Sequence, residues 1–206
     1  MNVPAIAKKT FDQLMGQPEF ASIVNFVIGH LTKITSKLSR AAFIHQMVDE
    51  YNEGIFSHPL VKELSPCRKG CTACCYTQVS VTDDEAELLA QRVLEGTEID
   101  FKRLNIQMQA QDNTEAFYKL DYHHRKCVFL DDEGGCKVYE DRPSVCRTNM
   151  VLGDSSQCDT SVKVKPTRLV RTPKSDMVIY ASFLHSKSSG ALPHMLGKAL
   201  QEKIDK

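Results

Sequence analysis

Four cysteines fall within nine residues in the stretch Cys67-Arg-Lys-Gly-Cys71-Thr-Ala-Cys74-Cys75. Cys74 and Cys75 are adjacent, so a disulfide between them would be severely strained. Thiolates this close together repel one another unless a cation neutralises their charge. The stretch therefore predicts a bound metal ion or an iron–sulfur cluster, around which the neighbouring chain must fold.

The bulk composition is that of a globular protein. The chain has 206 residues, of which 42% are hydrophobic and 25% charged, enough for one sizeable core. Its 26 basic residues balance its 26 acidic ones, so no strong field favours nucleic acid or an anionic membrane. No apolar run is long enough for a signal peptide or a spanning helix. We therefore expect a cytoplasmic protein with no nucleic-acid partner and no membrane span.

All eight cysteines lie between residues 67 and 158. Buried cysteines that only fill a core would be scattered along the chain, and a reducing cytoplasm disfavours a disulfide framework. The clustering therefore predicts metal ligation. Cys158 lies beyond the other cysteines and is either an extra ligand or a free thiol. The seven predicted metal ligands are Cys67, Cys71, Cys74, Cys75, Cys127, Cys136 and Cys146.

Two local patterns explain how distant cysteines reach the first stretch. Residues 127–139 predict a hairpin of two short strands joined by a glycine-containing turn, with Cys127 and Cys136 opening the strands. Asp141 and Pro143 predict a helix start that places Cys146 in the first turns. Unpaired backbone amides there can donate to thiolates or sulfides.

Helical periodicity dominates the remaining sequence. Apolar spacing predicts a first helix that ends at Gly16, a second from Pro18 to Leu38, and a third that is capped by Ser39 and ends before Gly54. Thr82 and Glu85 form a capping box that opens a helix over residues 83–95. Further helices are predicted over residues 99–108, 114–120, 176–187 and 191–204, and short strands over 78–81 and 166–171.

These elements predict a mostly α (α+β) fold, a helical single domain with a small β-hairpin and a cysteine-ligated metal centre. We divide it into an N-terminal helical region, residues 1–60, and a cysteine-cluster metal-binding core, residues 61–160. A C-terminal helical region, residues 161–206, is expected to pack on that core.

The spacing of the cysteines does not distinguish zinc from an iron–sulfur cluster. Zinc takes four tetrahedral ligands, and a [4Fe–4S] cluster is likewise held by thiolates. Cys67, Cys71 and Cys74 also match the spacing of radical S-adenosylmethionine enzymes, but no strand–helix repeat follows them that would build a barrel. His123 and His124 could complete a mixed site, although solvated loop residues are the simpler interpretation.

Four blocks in order carry a family resemblance. They are Cys67-x3-Cys71-x2-Cys74-Cys75, Cys127-Val-Phe-Leu, Gly135-Cys136-Lys-Val-Tyr139 and Arg142-Pro143-x2-Cys146-Arg147. Over roughly residues 65 to 150 the chain resembles the YkgJ-type cysteine-cluster family. The resemblance implies zinc or iron chelation, and relatives of the family include flagellin lysine N-methylases linked to an iron–sulfur cluster. The chain departs at Thr148-Asn149-Met150, where the family usually has an aromatic residue and often a proline, and it is shorter than the methylases.

The primary functional hypothesis is a metal-binding protein. The alternatives are an iron–sulfur-dependent protein lysine methyltransferase, which would have a protein substrate, and a thiol-based redox or metal sensor. No glycine-rich nucleotide loop, Ser/His/Asp arrangement or pair of catalytic carboxylates is present, so no catalytic residue is assigned. Arg142 and Arg147 either hydrogen-bond to sulfur or pair with Glu140 and Asp141.

Overall fold

The structure is a computed structural model that describes residues 3–68, 70–161 and 168–205. This part of the chain is mostly helical with two small pairs of strands, which confirms the predicted fold class. None of the described helices contains a stretch that is long and apolar enough to cross a lipid bilayer. The helices are α1 Ala5–Leu14, α2 Phe20–Leu31, α3 Lys37–Phe56, α4 Pro59–Leu64, α5 Asp83–Leu94, α6 Phe101–Met108, α7 Thr114–Lys119, α8 Ser144–Thr148, α9 Pro173–His185 and α10 Leu192–Ile204. The strands are β1 Ser80–Thr82, β2 Val151–Leu152, β3 Arg168–Leu169 and β4 Ser189–Ala191.

Helices α1, α2, α3 and α9 enclose one apolar core, which we call the helical cluster. Val27 of α2, Val48 of α3 and Met177 of α9 are wholly buried in it. The rings of Phe20 and Tyr180 add an aromatic contact, with centroids 5.4 Å apart. Burial of apolar side chains on every contributing helix therefore holds this part of the fold together.

A second core lies between β1, α5, α6 and α10. Val128, Phe129 and Val138 from the predicted hairpin are buried in it, so the cysteine-bearing chain is packed on this core. The C-terminal region contributes α9 to the helical cluster and α10 to the second core. The division of the chain at residues 60 and 160 stays a prediction.

The sheets join residues that are far apart in sequence. Strand β1 pairs antiparallel with β4, so that Ser80 lies opposite Ala191, although no strand was predicted between the helices over residues 176–187 and 191–204. Strand β2 pairs with β3, placing Val151 opposite Leu169. The first residues of the strand predicted over 166–171 lie outside the described residues.

Three helix boundaries in the N-terminal part of the chain differ from the prediction, and one of them is the end of α3, which runs through Gly54 to Phe56. Helix α2 ends at Leu31 rather than Leu38, and the cap of α3 is Ser36, whose hydroxyl accepts from the backbone N–H of Ser39 at 3.3 Å. The Arg40 guanidinium donates to the carbonyls of Ile34 and Thr35. Those carbonyls are therefore satisfied without a continuous helix, and the apolar spacing carries across a break.

The predicted hairpin is shorter than expected. Its two strands reduce to a single antiparallel bridge between Leu130 and Cys136. The Asp131 carboxylate instead holds the turn, since it accepts from the backbone N–H groups of Gly135 at 2.6 Å and Glu133 at 3.0 Å. Side-chain-to-backbone bonds of this kind replace a strand ladder in tight turns.

Candidate metal centre

The Cys67–Cys75 loop is built from consecutive tight turns. The N–H of Cys71 donates to the carbonyl of Arg68 at 2.9 Å, and the N–H of Cys75 donates to the carbonyl of Thr72 at 2.8 Å. Gly70 has a φ of +91°, a conformation that glycine adopts without strain. A short 3-10 turn, Ala73–Tyr76, then carries the adjacent Cys74 and Cys75. The four thiols of the loop are all partly buried and free of disulfides.

The hairpin turn docks directly on this loop. The backbone N–H of Cys127 donates to the carbonyl of Cys75 at 2.7 Å. At the far end of the turn, Gly134 has a φ of +83°, and a β-carbon there would lie 3.0 Å from the Thr72 side chain. A strong backbone hydrogen bond and a close glycine contact therefore bring the hairpin cysteines to the loop cysteines.

Helix α8 presents Cys146 to the same region, and a buried carboxylate anchors its first residue. The backbone N–H and the hydroxyl of Ser144 each donate to Glu85 Oε1 at 2.7 Å. His45 Nε2 lies 3.3 Å from the same oxygen. The other oxygen, Oε2, accepts from the backbone N–H of Thr82 at 3.1 Å, which confirms the predicted capping box.

Glu85 is thus an anion shared by three helices. Burial by itself would raise its pKa, but the hydrogen bond and charge of His45, together with the donors of Ser144, hold the pKa of Glu85 at about 2. The carboxylate is therefore ionised at neutral pH and fixes α3, α5 and α8 relative to one another. The sequence signals only its capping-box role, because His45 and Ser144 are distant in sequence.

Five thiols form one group, which we call the thiol cluster: Cys74, Cys75, Cys127, Cys136 and Cys146. Burial raises the pKa of Cys127 to about 11 and also raises the pKa of Cys136 and of Cys146. Negative charge on neighbouring thiols of the cluster raises each of these pKa values further. The loop, the hairpin and α8 therefore bring their cysteines within electrostatic reach of one another.

The pKa values of the adjacent thiols Cys74 and Cys75 shift in opposite directions. The hydrogen bond with Cys75 lowers the pKa of Cys74 to about 6, with smaller contributions from the Asn149 side chain and the charge of Arg142. The same hydrogen bond, followed by burial, raises the pKa of Cys75. Cys74 is accordingly the first thiol of the cluster to ionise, and the protonated thiol of Cys75 donates a hydrogen bond to its thiolate.

Cys67, Cys71 and Cys158 lie at the edge of the thiol cluster. Cys67 Sγ accepts from the backbone N–H of Val151 at 3.4 Å. The turn that carries Cys158, Ser155–Cys158, packs against the turn Ala73–Tyr76. Burial, followed by the charges of Cys67, Cys71 and Cys74, raises the pKa of Cys158. The predicted ligand role of Cys67 and Cys71 stays a prediction.

Sulfur donors are the ligands that a thiophilic metal prefers, but the sulfur atoms lie farther apart than they would around a bound metal. Across residues 3–68, 70–161 and 168–205, no three cysteines have sulfur atoms that all lie within 4.8 Å of one another. The three possible ligands that meet this distance are Asp121, His123 and His124. A tetrahedral zinc–thiolate site, with bonds near 2.3 Å, would draw the sulfur atoms of the cluster closer together.

The two arginines of the family motif have different surroundings. Arg142 lies 4.0 Å over the ring of Tyr139, and its charge lowers the pKa of Cys74 and opposes the rise at Cys136. Arg147 is turned away from the thiols: it donates to the carbonyls of Arg142 and Glu140 and pairs with Asp49 at 2.5 Å. Arg142 therefore acts on the thiols electrostatically, whereas Arg147 fastens the turn before α8 to α3.

Together, the fold and the clustered thiols define a cysteine-rich metal-chelating domain. Residues 66–167, just under half of the chain, match the model of the CxxCxxCC family, described as "Putative zinc- or iron-chelating domain". The match spans all eight cysteines and confirms the cysteine-cluster resemblance. No curated protein and no solved structure gives a significant match to the chain.

Proposed function

We propose that this protein binds zinc or an iron centre through the thiol cluster, with Cys67 and Cys71 as further ligands at its edge. The observation that carries the proposal is the convergence of three segments, since Cys75 accepts the backbone hydrogen bond of Cys127, 52 residues later, and Glu85 positions the helix of Cys146. The ligand set is then Cys67, Cys71, Cys74, Cys75, Cys127, Cys136 and Cys146.

The chemistry of the thiols suits a soft or borderline metal. Thiolate is the form that binds a metal, so binding must release the protons that burial retains on Cys127 and Cys146. A sulfur-only donor set serves both a structural zinc and a [4Fe–4S] cluster. Seven thiols also exceed the four that one such centre uses, which leaves room for a second centre or for exchange of ligands.

A cytoplasmic location stays a prediction, because a reducing compartment keeps clustered thiols available to a metal. No contact among the described residues favours a methyltransferase or a thiol sensor over metal binding. Metal chelation is therefore the function that the arrangement of the side chains supports best.

The decisive experiment is anaerobic purification followed by elemental analysis, labile-sulfide assay and a visible spectrum. Iron with sulfide and a brown colour would identify a cluster, and colourless protein with zinc would identify a zinc site, in which the molar ratio of zinc to protein gives the number of ions. Cys127→Ser and Cys146→Ser should each lower bound metal at least fivefold, because each removes a partly buried ligand of the thiol cluster. Cys158→Ser, at the edge of the group, is the matched control and should retain the metal. Full metal content in both cluster variants would contradict the proposal.

A further inference from the structure

A second group of metal-ligating side chains lies on the short turn Tyr122–Arg125 and the residue before it. The ligand atoms of Asp121, His123 and His124 all lie within 4.8 Å of one another, and no cysteine belongs to the group. The two imidazole rings have centroids 3.8 Å apart. Their donors are nitrogen and oxygen, so they differ in kind from the sulfur atoms of the thiol cluster.

The backbone under this group is braced from inside the protein. The buried side chain of Gln107 donates through Nε2 to the carbonyl of His124 at 2.6 Å and to the carbonyl of Lys126 at 2.8 Å. The N–H of His124 closes the turn on the carbonyl of Asp121 at 2.9 Å. The three side chains are therefore held on a fixed turn and not on a free loop.

The cationic residues of the same segment are engaged elsewhere. The Arg125 guanidinium is buried, lies 4.8 Å from the ring centre of Tyr122, and donates to the carbonyl of Thr160. Lys126 pairs with Asp132 at 2.8 Å. Neither cation neutralises Asp121, which forms no ion pair with a described residue.

The Asp121 side chain does not cap the turn that follows it. It precedes the turn as the capping residue, yet its carboxylate accepts no hydrogen bond from the turn. Aspartate at such a position ordinarily accepts from the backbone amides that follow. Its oxygens are instead available beside the two imidazoles. Asp121 and His123 are exposed and His124 is half-buried, so an ion can enter from solvent.

We propose that Asp121, His123 and His124 form a second, exchangeable site for a divalent cation of the zinc, cobalt or nickel type. Two neutral imidazoles and one carboxylate are a recurrent donor set for these borderline ions. Three protein ligands leave a coordination position for water or for a group from another molecule. The site stands on its own donors, independently of what the thiol cluster binds.

Cobalt titration of the full-length protein, with the thiol cluster already loaded, tests this site. Sulfur ligation produces intense thiolate-to-cobalt charge-transfer absorption, which nitrogen and oxygen ligands do not produce. We expect one further equivalent of cobalt to bind with d–d absorption alone. Zinc added afterwards should displace it, which would show that the site accepts both ions.

Variants separate the site from adventitious surface binding. The double variant His123→Gln/His124→Gln should weaken the binding of this equivalent at least 100-fold, and Asp121→Asn at least tenfold, while the metal content of the thiol cluster stays unchanged. His58→Asn is the matched control: His58 is exposed, and asparagine can replace it as the cap of α4. Absence of the extra equivalent in the unmodified protein, or its survival in the double variant, would overturn the proposal. A circular-dichroism melt of each variant confirms that the fold is retained.

Discussion

The helical cluster buries apolar side chains from four helices, whereas the described residues of the cysteine-bearing segments, 66–76 and 127–148, form only turns and the five-residue helix α8. In the helical cluster, Val27, Val48 and Met177 are wholly inaccessible to solvent. The cysteine-bearing segments are joined to their surroundings by backbone bonds, such as that from Cys127 to Cys75, by the ionised Glu85, and by the few apolar side chains of the hairpin that are buried in the second core.

This difference separates two sources of order in one chain. Burial of apolar area stabilises regular helices without a ligand. Short turns bury less apolar area, and crowded thiols add repulsion once they ionise. The cysteine-bearing segments therefore have the most to gain from a bound cation, and the helical cluster has the least.

Removal of the metal should have the largest effect and should act on one region alone. Structural zinc contributes on the order of 10 kcal/mol in small zinc-binding peptides, where binding and folding are one event. After chelation, amides of residues 67–75 and 127–148 should exchange rapidly, while those of α2 and α9 stay protected. Hydrogen–deuterium exchange of the loaded and chelated protein measures both regions at once. Equal loss of protection in α9 would remove the distinction drawn between the regions.

Glu85→Gln should lower stability by about 3 kcal/mol at pH 7, since a pKa of about 2 in place of 4.5 corresponds to roughly that free energy. The lowered pKa means that the carboxylate stabilises the folded state above pH 4.5 and that this contribution is lost as the pH falls toward 2. The difference between variant and parent should therefore shrink in acid.

Urea unfolding between pH 2.5 and pH 7 measures this dependence. Glu115→Gln is the control, because Glu115 pairs with Lys119 on an exposed surface and should change stability little. A Glu85→Gln variant that differs from the parent by the same free energy at every pH would show that the carboxylate acts by shape and not by charge.

The smallest expected effect is a contrast between two glycines. Gly134→Ala places a side chain at a φ of +83° and against Thr72, and should cost about 1–2 kcal/mol. Gly54→Ala lies in α3 with nothing within 4 Å of the new methyl group, and should stabilise by about 0.5–1 kcal/mol. Thermal melts of both variants compare the regions directly, and opposite signs are the expected outcome. A tolerated alanine at position 134 would mean that the hairpin and the loop are less tightly docked than the contact indicates.

Much of the helical fold could be predicted because its signals are local. The capping box of Thr82 and Glu85 and the helix starts near Pro143 and Leu192 are found as expected. The errors fell where a local pattern crosses a break, as between α2 and α3. They also fell where pairing is non-local, as for β4, whose partner β1 precedes it by more than 100 residues.

For the metal centre, the sequence by itself predicted the donors, seven of the eight cysteines in the spacing of a chelating family, and sulfur chemistry limits the metal to a few candidates. Only the tertiary structure decided which thiols are neighbours, that Glu85 holds the helix of Cys146, and that Asp121, His123 and His124 share one face of a braced turn. The physical reason is range. Helix formation depends on residues three or four apart, whereas a site depends on contacts such as Glu85 to Ser144, 59 residues apart, which exist only after the cores have packed.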